Sequence, residues 1–80
     1  MHLLTETTAP DFATWKSAFD ADTEDRGTAG LTLLQMWRGA DDPNAVTCLF
    51  EVNDRDRAQA WLDKEAALGH GVSARFLRTA

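Results

Sequence analysis

The stretch LTLLQMWRGADDPNAVTCLFEV, residues 31–52, decides the fold of this chain. Two apolar runs, Leu31 to Arg38 and Ala45 to Val52, flank Gly39-Ala40-Asp41-Asp42-Pro43-Asn44, a string of turn-forming residues. That arrangement predicts a β-hairpin. A six-residue loop pairs Arg38 with Ala45, then Trp37 with Val46, Gln35 with Cys48, Leu33 with Phe50 and Leu31 with Val52. Alternation puts those last four pairs on one face, and Met36 with Thr47, Leu34 with Leu49 and Thr32 with Glu51 on the other. The first face is large and apolar apart from Gln35. The second is apolar in its middle and polar toward one end. A sheet apolar on both faces must be covered on both, and the helix-patterned segments here suffice for one. A second copy of the chain is the expected cover for the other, with an enclosed space between the two.

Working outward from the hairpin, residues 2 to about 7 form a β-compatible run closed by Ala9-Pro10. Asp11 stands where an N-cap belongs, and Phe12, Trp15 and Phe19 follow with helical spacing, with Ala18 beside them. Lys16, Asp20 and Glu24 mark the wet side, and Gly27 and Gly30 end the helix. Past the hairpin, Asn53-Asp54 caps a second helix over roughly 55–68, with Ala58, Trp61, Leu62 and Leu68 as its buried stripe and Gly69 as its C-terminal residue. A last strand runs from Val72 to Arg78, with Val72, Ala74 and Phe76 on one side and Ser73, Arg75 and Leu77 on the other. The order β-α-β-β-α-β is the ferredoxin-like, split βαβ arrangement: an α+β fold with a four-stranded antiparallel sheet and both helices on one face. Residues 1–80 read as a single such domain.

Composition bounds what the domain can be. A chain of 80 residues buries only about 60% of its unfolded surface and often needs disulfides, a metal or oligomerisation. Cys48 is the only cysteine, and with His2 and His70 it forms no ligand-spaced cluster, so no metal and no cofactor are expected and oligomerisation is the remedy left. A net charge of −5 with scattered Lys and Arg excludes a phosphate-tracking surface, so no nucleic-acid partner is expected. No apolar run approaches the ~20 residues that span a bilayer, and Met1-His2-Leu3-Leu4 lacks the basic start and long apolar stretch of a signal peptide. A cytoplasmic protein is the expectation.

Asp11-Phe12, Trp15-Lys16, Phe19-Asp20, Gly30-Leu31, Trp37-Arg38, Asp41-Asp42-Pro43-Asn44 and Phe50-Glu51-Val52 with Ala58 together resemble the dimeric α+β barrel superfamily. Within it the likeness is to small stand-alone proteins related to the antibiotic-biosynthesis monooxygenases, and it covers almost the whole chain. The resemblance implies a homodimer whose two sheets form a barrel around a central cavity. Members include cofactor-independent oxygenases, haem-degrading enzymes, small isomerases and lyases, and proteins without known activity, so fold fixes function poorly here.

The second face of the sheet supplies the candidate site. Leu34, Met36, Leu49, Arg75 and Leu77 are its expected ligand lining, and Glu51 its expected catalytic carboxylate. An apolar lining with few polar groups is what small-molecule pockets look like. A carboxylate enclosed there can serve as a base, and the competing reading is an ion pair between Glu51 and Arg75. In haem-degrading relatives a His near position 70 ligates iron, with a Trp on the second helix and an Asn on the first strand. Trp61 and His70 match two of these, but the first strand offers Thr5, Glu6 and Thr7 instead of Asn, and Trp61 falls on a core stripe. His70 reads as an exposed loop residue, His2 as a partly exposed strand start, and Cys48 as a small buried hydrophobe. Asp20, Asp22, Glu24 and Asp25 imitate part of a calcium loop but lack its sixth-position Gly, and read as a solvated helix end. Trp15, Trp37 and Trp61 read as core. The leading expectation is a homodimer binding a small apolar or aromatic molecule on the sheet face. The alternatives are a cofactor-independent monooxygenase or isomerase of aromatic or polyketide-like substrates, and a structural or regulatory dimerisation module with a filled barrel.

Overall fold

A computed structural model describes residues 1–67 and 72–80. The elements run β1 (His2–Thr8), α1 (Phe12–Ala21), α2 (Thr23–Thr28), β2 (Leu31–Arg38), β3 (Ala45–Val52), α3 (Arg55–Ala67) and β4 (Ser73–Leu77). The strands form one antiparallel sheet in the order β2-β3-β1-β4, and the fold is ferredoxin-like α+β. Leu68 and Gly69, expected to close the second helix, and His70 lie outside the described residues.

Both main helices lie against the same side of the sheet. Leu3, Val46, Cys48, Phe50 and Val52 point to that side and join Leu31, Ala58 and Leu62 in one buried core. Phe12, Trp15 and Phe19 from α1 and Trp61 from α3 pack on it. Phe50 is the centre, 1% exposed, met by Phe19 and by Trp61 at ring-centroid distances of 6.4 and 6.2 Å. Burying a side chain of this size contributes about 1.5–3 kcal/mol.

The first helix departs from expectation at its end. It breaks at Asp22, and the short α2 carries the chain on to Gly30. Gly30 turns into β2 with a φ of 74°, a left-handed conformation that costs glycine nothing. Both expected caps form. Asp11 accepts from the Thr14 N–H and hydroxyl, and these bonds hold its carboxyl below the usual range. Asp54 accepts from the N–H groups of Asp56 and Arg57.

The hairpin keeps its expected pairs Leu31–Val52 and Leu33–Phe50, then slips by one. A β-bulge at Leu34 brings Gln35 opposite Leu49, Met36 opposite Cys48, Trp37 opposite Thr47 and Arg38 opposite Val46. Beyond the bulge every side chain changes face. Met36, expected in the ligand lining, packs against the helix-side core. Trp37, expected in the core, is 47% exposed on the other face. Arg38 now reaches α1, its guanidinium 3.9 Å from the Phe12 ring centroid and donating to the Pro43 carbonyl.

Asn44 fastens the hairpin loop to the start of α1. Its carbonyl accepts from Ala9 N–H, its side-chain oxygen accepts from Phe12 N–H at 3.0 Å, and its amide donates to the Pro10 carbonyl at 3.5 Å. Replacing Asn44 by Ala is expected to cost about 1–2 kcal/mol, because it leaves the Phe12 N–H without its acceptor. Asn44→Asp, which keeps that acceptor, should lose less. Urea unfolding of the two variants checks this, and equal losses would remove the cap from the explanation.

Candidate functional site

The register sorts the sheet into two surfaces. On the open face three cross-strand rows run Thr32–Glu51–His2–Leu77, Gln35–Leu49–Leu4–Arg75 and Trp37–Thr47–Glu6–Ser73. The bulged Leu34, at the sheet edge, is 47% exposed. The expected lining residues Leu49, Glu51, Arg75 and Leu77 therefore do share this face, and Met36 does not. Glu51 and Arg75 are separated by β1 and fall in different rows, so the expected ion pair is replaced by a different neighbour: His2 stands directly opposite Glu51. Ion pairs among the described residues are Lys16–Asp20, Arg57–Asp54 and Lys64–Asp25, all on the surface. The concavity on this face is a groove of about 250 Å³ along Leu4, Glu6, Ser73, Ala74 and Arg75.

A larger cavity, about 490 Å³, opens on the opposite side of the sheet. Thr5, Val46, Cys48 and Phe50 form its floor. Trp15, Ala18 and Phe19 of α1, Arg26 of α2, and Trp61 and Glu65 of α3 form its walls, with Ala9 and Pro10 at the β1–α1 link. Trp15 and Phe19 stack at 4.9 Å, so much of the wall is aromatic. Its polar groups are few: threonine hydroxyls, the Cys48 thiol, the Arg26 guanidinium, and the carboxylates of Asp22 and Glu65. The Trp61 indole N–H is buried and has no acceptor among the described residues.

Arg26 is the unexpected member of this set. It is 6% exposed, and its guanidinium carbon Cζ lies over the Phe19 ring, 3.5 Å from the centroid. Its Nη1 donates to the Phe19 carbonyl at 2.6 Å and its Nη2 to Thr23 Oγ1 at 3.3 Å. Loss of water pushes its pKa down, and Asp22, Asp20 and Glu65 among its neighbours pull it back. In sequence it sits within Asp22-Thr23-Glu24-Asp25-Arg26, which reads as a solvated helix end. Asp20, Asp22 and Glu24 are exposed in keeping with that reading, while Asp22 and Asp25 also come within 4.8 Å of Glu65, which is 9% exposed on α3, and Lys64 is tied to Asp25 at 2.8 Å.

No helix among the described residues is long and apolar enough to cross a membrane. Comparison with protein-family models, curated proteins and solved structures finds no match to this chain.

Cys48, expected as a buried hydrophobe, is 2% exposed on the cavity floor opposite Thr5. Burial pushes its thiol up, against the smaller opposing pulls of the Thr5 hydroxyl and Arg26. The folded state then keeps this proton to higher pH than the unfolded chain does. Stability contributed this way is intact below the unfolded thiol pKa of about 8.5 and falls as pH rises through it. Unfolding free energies measured from about pH 7 to pH 10 should decline more steeply for the native protein than for Cys48→Ala. Parallel curves would show that the thiol keeps the same pKa in both states.

Proposed function

We propose that this chain is a homodimeric α+β-barrel protein that binds a small, largely apolar or aromatic molecule, and that the ligand lies between the helices and the sheet. The observation that carries the proposal is the 490 Å³ cavity, with aromatic walls and a handful of polar groups. Ligand sites are concave, mostly apolar and fixed by a few polar contacts, and this cavity meets all three conditions within one protomer. The position differs from that expected from the sequence. The groove on the open face, along Leu4, Glu6, Ser73, Ala74 and Arg75, is about half that size, and in this reading a second copy encloses it.

The open face serves assembly in this reading. Leu34, Trp37 and Leu77 are all exposed large hydrophobics on one surface, a pattern that marks an interaction site. The resemblance to dimeric α+β barrels supplies the same occupant, a second copy of the chain. Between two such faces His2 would stand beside Glu51, and this is the one observation that favours the enzymatic alternative, since a carboxylate can orient an imidazole for proton transfer.

Three measurements test the proposal. Light scattering is expected to return twice the 8.8 kDa chain mass, and a monomer at all accessible concentrations would sink the assembly. Amide and indole shift mapping with uncharged aromatic compounds is expected to perturb Thr5, Cys48 and the Trp61 N–H. Ala18→Phe, which places a ring in the cavity, should abolish the effect. Perturbations confined to Leu49, Glu51 and Arg75 would move the ligand to the open face. Turnover lost in Glu51→Gln with assembly intact would favour the enzyme.

A further inference from the structure

We infer that the helix-side cavity selects uncharged ligands, and that Arg26 sets this selectivity by standing where a ligand cation would otherwise sit. The inference rests on the cavity being the ligand site and adds the class of molecule it takes.

The surroundings of the guanidinium are those of a cation receptor. Its Cζ lies over the Phe19 ring, 3.5 Å from the centroid, it donates to a helix carbonyl at 2.6 Å, and Asp22 and Glu65 share the cavity wall with it. An aromatic face with nearby carboxylates and carbonyl acceptors is the chemistry that recognises organic cations. Here the chain itself occupies that position, with a residue 6% exposed. A ligand cation entering the cavity would meet the fixed positive charge of Arg26. A ligand anion would meet Asp22 and Glu65, while two of the Arg26 donors are already engaged with Phe19 and Thr23. Either charge would leave water for a wall where both signs already stand side by side, the Arg26 guanidinium with the Asp22 and Glu65 carboxylates, and a buried ion without a partner of its own is disfavoured. An uncharged ring meets no such cost, and it buries apolar area against Trp15 and Phe50.

The test is a titration of the native protein with three matched probes: 2-acetylnaphthalene, 2-naphthoate and 2-naphthylmethylammonium, followed by amide and indole chemical shifts. The uncharged ketone is expected to bind at least ~10-fold more tightly than either ion. Arg26→Met should reverse the order for the cation, raising the affinity of 2-naphthylmethylammonium relative to the ketone by ~10-fold or more. Arg26→Lys keeps the charge and should keep the native order. If either ion binds the native protein as tightly as the ketone, charge selectivity is overturned while the cavity remains a ligand site. If none of the three shifts the cavity resonances, the cavity reading and this inference fail together. Should Arg26→Met not fold, the ranking on the native protein decides alone.

Discussion

One layer of helices cannot cover two faces of a sheet, and most of this structure follows from that constraint. Strand alternation delivers Leu3, Val46, Cys48, Phe50 and Val52 to the side where α1 and α3 lie, and these residues are buried. The same alternation delivers Leu4, Leu49 and Leu77 to a side with no layer above it. Gln35 and Trp37 join that side through the bulge in the edge strand. Bulges are a common way to disturb an edge that would otherwise pair freely. Here the bulge also decides the character of the uncovered surface, exchanging a methionine for a tryptophan.

On the covered side, helices α1 and α3 each reach Phe50 through an aromatic residue, Phe19 from one and Trp61 from the other. The space left beside that junction is not simply unfilled core. Arg26 is drawn into it by the Phe19 ring and the Phe19 carbonyl, with Asp22 and Glu65 close by. Polar groups held at the wall of an apolar space are costly for stability alone, and they give the cavity a chemical character that a packing defect would lack.

The sequence shows part of this and conceals the rest for physical reasons. Element order, the caps at Asp11 and Asp54, and the burial of Cys48 and Phe50 are legible because each rests on local chemistry or on a clean period of two or 3.6. The bulge is not legible. Leu33-Leu34 and Met36-Trp37 are apolar on either parity, so the pattern reads equally well with or without an extra residue. Leu49, Glu51, Arg75 and Leu77 share a face that parity alone makes legible, because none lies beyond the slip, whereas Met36 lies beyond it. Arg26 is hidden for another reason. Its neighbours in sequence are acidic and its neighbours in space are Phe19, Cys48 and Glu65, brought from three different elements. The sole local hint is its spacing of seven from Phe19, two helical turns along a helix that breaks between them.

Asn44 ties this geometry to time as well as space. It supplies a hydrogen-bond acceptor to the first turn of a helix that begins 32 residues earlier in the chain. A nascent α1 emerging in sequence order has its Asp11 cap at once, but its Phe12 N–H stays with water until the hairpin loop has been made and has docked. Helix initiation is costly and short helices are marginal alone, so the completed start of α1 comes as a product of long-range assembly and not as a seed for it. The turn that joins β2 to β3 thereby couples the local order of one element to the tertiary order of the whole, and the chain has reason to fold as one cooperative unit instead of helix by helix.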